Sequence, residues 1–163
     1  EALRKLAIRY FTGHGPATVL DLMWWSVLPA RDVKRGIELA GAELVQNEVE
    51  GKMYYAGKDA LALKKNSDSG YILAPFDEYL VGYKEREAMI EKAHHVRINP
   101  GSNGMFSPVI VVNGRVVGTW KRVIKKNSVE VIPHPFTTFS KKELDLIHQK
   151  TLSYSRFLNI PLI

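Results

Sequence analysis

The chain of 163 residues is 45% hydrophobic and 25% charged, which gives it enough apolar content to bury a core and too much for a disordered polymer. It holds no run near the roughly 18 to 20 apolar residues of a membrane span and no basic-then-apolar leader, and its zero cysteines exclude disulfides, thiolate zinc sites and a Cys nucleophile. The net charge of +6 is unevenly spread: residues 1–57 carry seven bases against seven acids, and the remainder sixteen against ten.

In chain order, Leu3, Leu6, Ala7, Tyr10 and Phe11 recur at helical spacing and predict a first helix that ends at Gly13 and Gly15-Pro16. Thr18 is placed to cap a second helix, with Asp21 in its first turn and Val19, Leu22, Met23 and Trp25 as its apolar face. Ser26-Val27-Leu28-Pro29 breaks that helix. Pro29 then opens a third, through Val33, Ile37 and Ala40. Glu43 to Val49 and Lys52 to Ala56, joined at Glu50-Gly51, predict a hairpin with Leu44 and Val49 or Tyr54 as inward contacts. Three helices and a hairpin are the layout of a winged helix-turn-helix, a common reader of duplex DNA, so residues 1–65 are expected to be a winged-helix domain.

Asp59 to Lys65 predicts a short helix, and Asn66-Ser67-Asp68-Ser69-Gly70 is breaker-rich and marks a boundary. Tyr71 to Ala74 reads as a strand ended by Pro75, and Glu85 to Ala93 as a helix. Pro108 to Val112 and Arg115 to Lys125 flank Asn113-Gly114, the preferred type I′ turn pair. Val129 to Ile132 adds a strand. Ser140 is placed to cap a closing helix with Leu144, Ile147, Leu152 and Phe157 on its inner side. Residues 66–163 are thus expected to be a small antiparallel β-sheet or partly closed barrel with a C-terminal helix. The fold class is α+β.

Several residues are candidates for contact with nucleic acid. Arg31, Lys34 and Arg35 lie on the exposed side of the third helix, and Arg115, Lys121, Arg122, Lys125 and Lys126 fall in a stretch without an acid. Strand alternation sends Arg115, Lys121 and Lys125 to one face and Arg122 with Lys126 to the other, unless a bulge at Gly118 re-aims them. Trp24 and Trp25 point about 100° apart on a helix, so one of them is expected at a surface or interface. Asp77 is the candidate catalytic carboxylate, with capping of a turn or pairing with Arg86 as its structural alternative. His94-His95 lacks the spacing that presents two imidazoles to one metal and suits phosphate contact beside Arg97, and His134 between two prolines reads as loop. No metal or cofactor is expected, and GxGxxG, P-loop and HExxH motifs are absent.

Three blocks carry a family likeness. They are Gly15-Pro16-Ala17-Thr18 with Asp21-Leu22 and Trp24 to Pro29; Leu73-Ala74-Pro75-Phe76-Asp77-Glu78-Tyr79-Leu80-Val81-Gly82-Tyr83-Lys84-Glu85-Arg86; and Ser107-Pro108-Val109 through Val112-Asn113-Gly114-Arg115-Val116-Val117-Gly118-Thr119-Trp120. In these the chain resembles the winged-helix DNA-binding family that includes the bacterial AlkZ-like and YcaQ-like DNA glycosylases, over its C-terminal portion. The resemblance implies tandem winged helices followed by a β-rich domain, and removal of alkylated or crosslinked bases by some members. It also implies a catalytic Gln-x-Gln or Gln-x-Asp that stabilises the sugar cation and positions water. This chain has only Gln46 and Gln149, and Gln46-Asn47-Glu48 stands outside that motif's context.

The chain opens on Glu1 in mid-helix and reads as part of something longer. The expectation is a DNA-binding portion that is not catalytic alone, partnered by double-stranded and damaged DNA and by the parent chain upstream of Glu1, with no membrane contact. Its expected place is the cytoplasm, with the nucleoid. A non-enzymatic winged-helix regulator and a structural protein-interaction module are the alternatives.

Overall fold

The computed structural model describes residues 1–62, 68–101 and 104–163. Among them the chain is α+β, with six α-helices and two antiparallel sheets. It divides into two compact units, one of Glu1–Lys65 with Glu78–Glu85 and one of Asn66–Asp77 with Arg86–Ile163. Residues 78–85, which the sequence reading assigns to the second region, therefore pack with the first.

In the first unit α1 (Ala2–His14), α2 (Val19–Ser26) and α3 (Ala30–Ala40) precede a hairpin of β1 (Leu44–Val49) and β2 (Lys52–Gly57). The apolar stripe on α1 buries Ala7, Tyr10 and Phe11 against Ala17, Leu22 and Val33, with Ile37, Leu44 and Tyr55 packed around them. The helices α1 and α3 cross where Gly36 leaves room, since a Cβ there would stand 2.7 Å from the Leu3 carbonyl oxygen. The hairpin turns at Glu50-Gly51, both at positive φ as a type I′ turn requires. Its inward residue on β2 is Tyr55, ring-packed on Phe11, rather than Tyr54, and Val49 is exposed. Alternation explains this: Tyr55 follows Tyr54 and faces the other way. Ala17 pairs with Tyr55 in both directions, N–H to carbonyl, so the α1–α2 loop adds a bridge beside the hairpin.

The helix break at residues 26–29 is made by Val27, which closes α2 at φ 58° and ψ 18° with its side chain 89% exposed. Left-handed backbone is costly for a β-branched residue, and glycine is its usual occupant at a helix end.

In the second unit β3 (Gly70–Leu73), β4 (Val109–Val112), β5 (Arg115–Lys125) and β6 (Ser128–Pro135) form an open antiparallel sheet in that order, and no barrel closes among the described residues. Asn113 and Gly114 turn between β4 and β5 at φ 51° and 76°, the type I′ signature. The register shifts between Ile110 and Val111, which leaves Val117 of β5 outside the pairing, just before Gly118. The helix α6 (Lys141–Leu158), capped by Ser140 and Glu143 in a reciprocal box, lies over β3 and β4. Ile110, Val112, Trp120 and Ile147 form the core there, and the Trp120 indole N–H donates to the Leu73 carbonyl at 2.9 Å. The segment at Pro161–Ile163 bonds to Val129 and covers part of the β6 edge.

Four further sequence expectations need correction. Residues 85–93 are turn rather than helix, apart from a 3-10 turn at Lys92–His94; two short helices, α4 (Glu78–Val81) and α5 (His95–Ile98), flank them. The Met89 carbonyl accepts from Val116 N–H, so part of this backbone is engaged outside any helix. On α6 Leu144 and Phe157 are exposed, and Ile147, Thr151 and Ser155 face inward, Ser155 donating to the Ile160 carbonyl at 2.7 Å. His134 belongs to β6 opposite Thr119 rather than to a loop. The predicted 59–65 helix is a 3-10 turn at Lys58–Ala62 where described; its last residues and part of the 66–70 boundary lie outside the described residues.

Replacing Val27 by glycine removes the left-handed strain and no packing. Val27→Gly is expected to raise the unfolding free energy by up to about 1 kcal/mol in chemical denaturation. A loss of stability would mean that the exposed isopropyl group has a contact in the folded protein.

Candidate functional site

The first unit is organised around one buried carboxylate. Thr18 and Asp21 cap α2 reciprocally, as their spacing predicts: Asp21 N–H donates to the Thr18 hydroxyl oxygen at 3.2 Å, and Thr18 N–H and O–H donate to Asp21 Oδ2, each at 2.8 Å. The same carboxylate reaches much further. Its Oδ1 accepts the backbone N–H groups of Lys84 and Glu85, both at 2.8 Å, and the residue is 1% exposed. Four donors and the N-terminal end of α2 thereby stabilise a charge that burial would otherwise make expensive.

Residues 78–85 are fastened along the helices by further contacts. Tyr10 O–H donates to the Gly82 carbonyl at 3.2 Å and Tyr83 O–H to the His14 carbonyl at 2.8 Å. The indole N–H of Trp24 donates to the Val81 carbonyl at 2.8 Å, and that of Trp25 to Glu78 Oε1 at 2.7 Å. His14 Nε2 lies 3.1 Å from the same Glu78 oxygen, its ring stacked on Tyr10 at 4.6 Å. Lys84 Nζ sits 4.9 Å above the Trp24 ring, and Lys52 pairs with Glu85 at 2.6 Å. Both tryptophans are thus nearly half exposed with their polar ends tied down, which is how adjacent helix positions serve one segment.

Burial pushes the Tyr83 hydroxyl up to about 12, with the Asp21 carboxylate, Tyr79 and Glu78 adding to the effect. Tyr10 is raised further, again by burial first and Asp21 second.

The cationic candidates divide between the units. On α3, Arg31 pairs with Asp32 at 3.4 Å and Arg35 with Glu38 at 3.1 Å, and Lys34 is exposed and makes no ion pair among the described residues. On β5, Arg115 donates to the Glu87 carbonyl at 3.4 Å, Arg122 bonds the Tyr154 hydroxyl, and Lys125 pairs with Glu130 at 3.4 Å. Lys121 and Lys126 are exposed and unpaired among the described residues. The strand β4 reaches only as far as Thr119, so from Lys121 to Lys125 β5 pairs with β6 alone, as a two-stranded ribbon. All five of those β5 residues are exposed.

Asp77 is half-buried and stands immediately before α4. The carboxylate expected from the sequence is Asp77, whereas its neighbour Glu78 is the one joined to His14 and Trp25; the i, i+4 spacing of Tyr10 and His14 is the local signal for that cluster. Gln46 is exposed on β1 opposite Tyr55, and Gln149 is exposed on α6. His94 stacks on Phe136 at 4.4 Å, and Arg97 donates to the Pro135 carbonyl at 3.0 Å while covering the same ring. Arg97 is thereby engaged within the second unit. Among the described residues no three His, Cys, Asp or Glu side chains gather as a metal site, and no helix is long and apolar enough to cross a membrane.

The model of a family described as DNA glycosylase AlkZ-like matches residues 1–157. The interstrand DNA cross-link repair glycosylase of Streptomyces sahachiroi is 28% identical over 143 residues, covering 84% of this chain and 38% of that protein. The solved structure of Streptomyces sahachiroi DNA glycosylase AlkZ is similar in fold, with a TM-score of 0.78 at 24% identity, over 99% of this chain and 45% of that one. The chain therefore spans less than half the length of either relative.

Two outcomes test the geometry at Asp21. Asp21→Asn leaves one acceptor where two oxygens serve four donors, so it is expected to cost nearly as much as Asp21→Ala, about 3 kcal/mol or more in urea unfolding. An Asn variant close to wild type would show that charge and the second oxygen are dispensable. For Tyr83, the unfolded chain ionises near pH 10 and the folded one near about 12. The unfolded state therefore binds fewer protons above pH 10, so this contribution is full below pH 10 and is lost between pH 10 and 12. A Tyr83→Phe protein is expected to show a shallower alkaline decline in stability, read by thermal unfolding across that window.

Proposed function

Because the chain belongs to the AlkZ-like DNA glycosylase family, we propose that it is a DNA-binding portion of a protein that excises alkylated or crosslinked bases. The first unit is read as a winged helix. Three helices, a hairpin and the Ala17–Tyr55 bridge supply its parts, with α3 as the recognition helix and β1–β2 as the wing. The second unit supplies phosphate contact. Its partner is double-stranded, damaged DNA in the nucleoid, and the residues that break the glycosidic bond lie in the remainder of the parent protein.

The observation that carries the phosphate reading is the β5–β6 ribbon. Because Lys121 to Lys125 of β5 are all exposed, strand alternation does not divide their charge between a buried and an open side. Lys121 and Lys126 have no partner among the described residues, and the ion pair of Lys125 is surface-exposed and worth little on its own. By contrast, residues 1–57 balance seven bases against seven acids, whereas residues 115–126 hold five bases and no acid. Family membership supports the reaction, and the exposed bases of the ribbon support phosphate contact on the second unit.

Duplex binding at two salt concentrations tests this. About three phosphate contacts give a log–log slope near −2.7, hence a roughly 40-fold loss of affinity between about 50 and 200 mM salt. Lys121→Glu with Lys125→Glu is expected to weaken binding more than Arg31→Glu with Lys34→Glu; the opposite order returns the DNA surface to α3. Salt-insensitive binding would sink phosphate contact altogether and favour a protein-interaction module. Full-length protein is expected to release an alkylated base and leave an abasic site, and this chain alone is not. Release by this chain alone would place the chemistry within it, and none from the full-length protein would favour a non-enzymatic regulator.

A further inference from the structure

The hairpin β1–β2 is finished along one edge and open along the other. Its turn at Glu50-Gly51 is a two-residue type I′ reversal, so Val49 and Lys52 close the ladder as a hydrogen-bonded pair and the pairs alternate from there. Gln46 and Tyr55 then direct their N–H and C=O groups away from each other. On β2 the outward groups of Tyr55 are both taken by Ala17. On β1 the outward groups of Gln46 and Glu48 have no backbone partner among the described residues, and the strand carries no proline, lysine or bulge of the kind that blunts an edge.

Beside that edge runs an open groove of about 440 Å³, lined by Ile37, Glu38, Gly41, Leu44, Gln46 and Tyr55. Ile37, Leu44 and Tyr55 also pack on the buried core of the first unit, so the apolar floor of the groove is held from below. Leu44, Gln46 and Glu48 share one face of β1, and a strand laid beside them sets every second side chain over the same groove. The charge here has one sign. Residues 36–51 hold Glu38, Glu43, Glu48 and Glu50 and no base. Glu43 is held by Arg4, and Glu38 forms an exposed pair with Arg35 at 3.1 Å, whereas Glu48 and Glu50 make no ion pair among the described residues. Such an edge repels a phosphate backbone and attracts a strand that bears lysine or arginine.

We propose that β1 and its groove bind an extended, basic segment of a partner polypeptide by strand addition. The backbone of the segment pairs with Gln46 and Glu48, an apolar side chain enters the groove over Leu44 and Tyr55, and a Lys or Arg two residues away faces Glu48. This partner is independent of the duplex: it uses an acidic edge of the first unit, whereas phosphate contact is read on the second.

Peptide titration of the full-length protein, followed by fluorescence polarisation, tests this. The probe is a short labelled peptide with a central leucine, lysine two positions to either side and threonine elsewhere. Saturable binding is expected, and the same peptide with glutamate in place of lysine is expected to bind at least about tenfold more weakly. N-methylation of one alternate set of peptide amides is expected to abolish binding and of the other set to spare it, because only one set faces β1. Gln46→Pro removes an outward N–H that bonds no backbone group among the described residues, a change an edge strand tolerates, and is expected to weaken binding at least about tenfold. Glu48→Lys reverses an exposed, unpaired charge without altering the backbone and is expected to do the same. Wild-type protein that does not bind, as when the rest of the parent chain already covers the edge, overturns the proposal. Binding that persists in both variants overturns it too, and so does a peptide that holds on by charge alone, whichever amides are methylated.

Discussion

The first unit depends on how a single carboxylate is satisfied. Asp21 is buried and makes no ion pair among the described residues, so its charge is tolerable because four N–H and O–H donors converge on it. Two come from the turn before α2 and two from residues more than 60 positions later. A cap that would ordinarily finish one helix therefore also fixes the backbone at Lys84 and Glu85. Once those residues are fixed, the carbonyls of Val81 and Gly82 lie within reach of Trp24 and Tyr10, and Glu78 within reach of Trp25 and His14. The aromatic side chains on α1 and α2 are thereby spent on holding one segment rather than only on filling a core.

That arrangement accounts for the electrostatics around it. Tyr10 and Tyr83 donate to carbonyls in the same neighbourhood, and both hydroxyls resist ionisation because burial and the Asp21 charge act in one direction. The second unit works by a different balance. Its core under α6 is apolar, and its charge is displaced to the part of β5 that outruns β4. Where the sheet has four strands its residues are mostly covered; where only β5 and β6 remain, lysine and arginine meet water on both faces.

What sequence could reveal was local. The Thr18–Asp21 box, the Ser140 cap, the type I′ turn at Asn113-Gly114 and the apolar stripe on α1 all follow from spacing within a few residues, and each is present. The failures share one cause. Glu85 to Ala93 has the composition of a helix, yet Glu85 N–H goes to Asp21 and Met89 carbonyl to Val116, partners that no local pattern announces. Phe157 and Leu144 satisfy helical periodicity but stand in solvent, while Thr151 and Ser155 are buried, Ser155 by bonding the Ile160 carbonyl and Thr151 by returning its hydroxyl to the His148 carbonyl. At the candidate site the sequence pattern points one residue short, at Asp77. Only the fold shows that Glu78 is the carboxylate that His14 and Trp25 hold, since those three residues lie more than 50 positions apart in part.

If Asp21 governs the first unit, it binds residues 84 and 85 as firmly as the helix it caps. Native-state hydrogen exchange measures this directly. The amides of Lys84 and Glu85 are expected to exchange only through global unfolding of the first unit, with protection matching that of the α1 amides of Tyr10 and Phe11. Exchange of those two amides near the rate of an exposed loop, with α1 still protected, would contradict it.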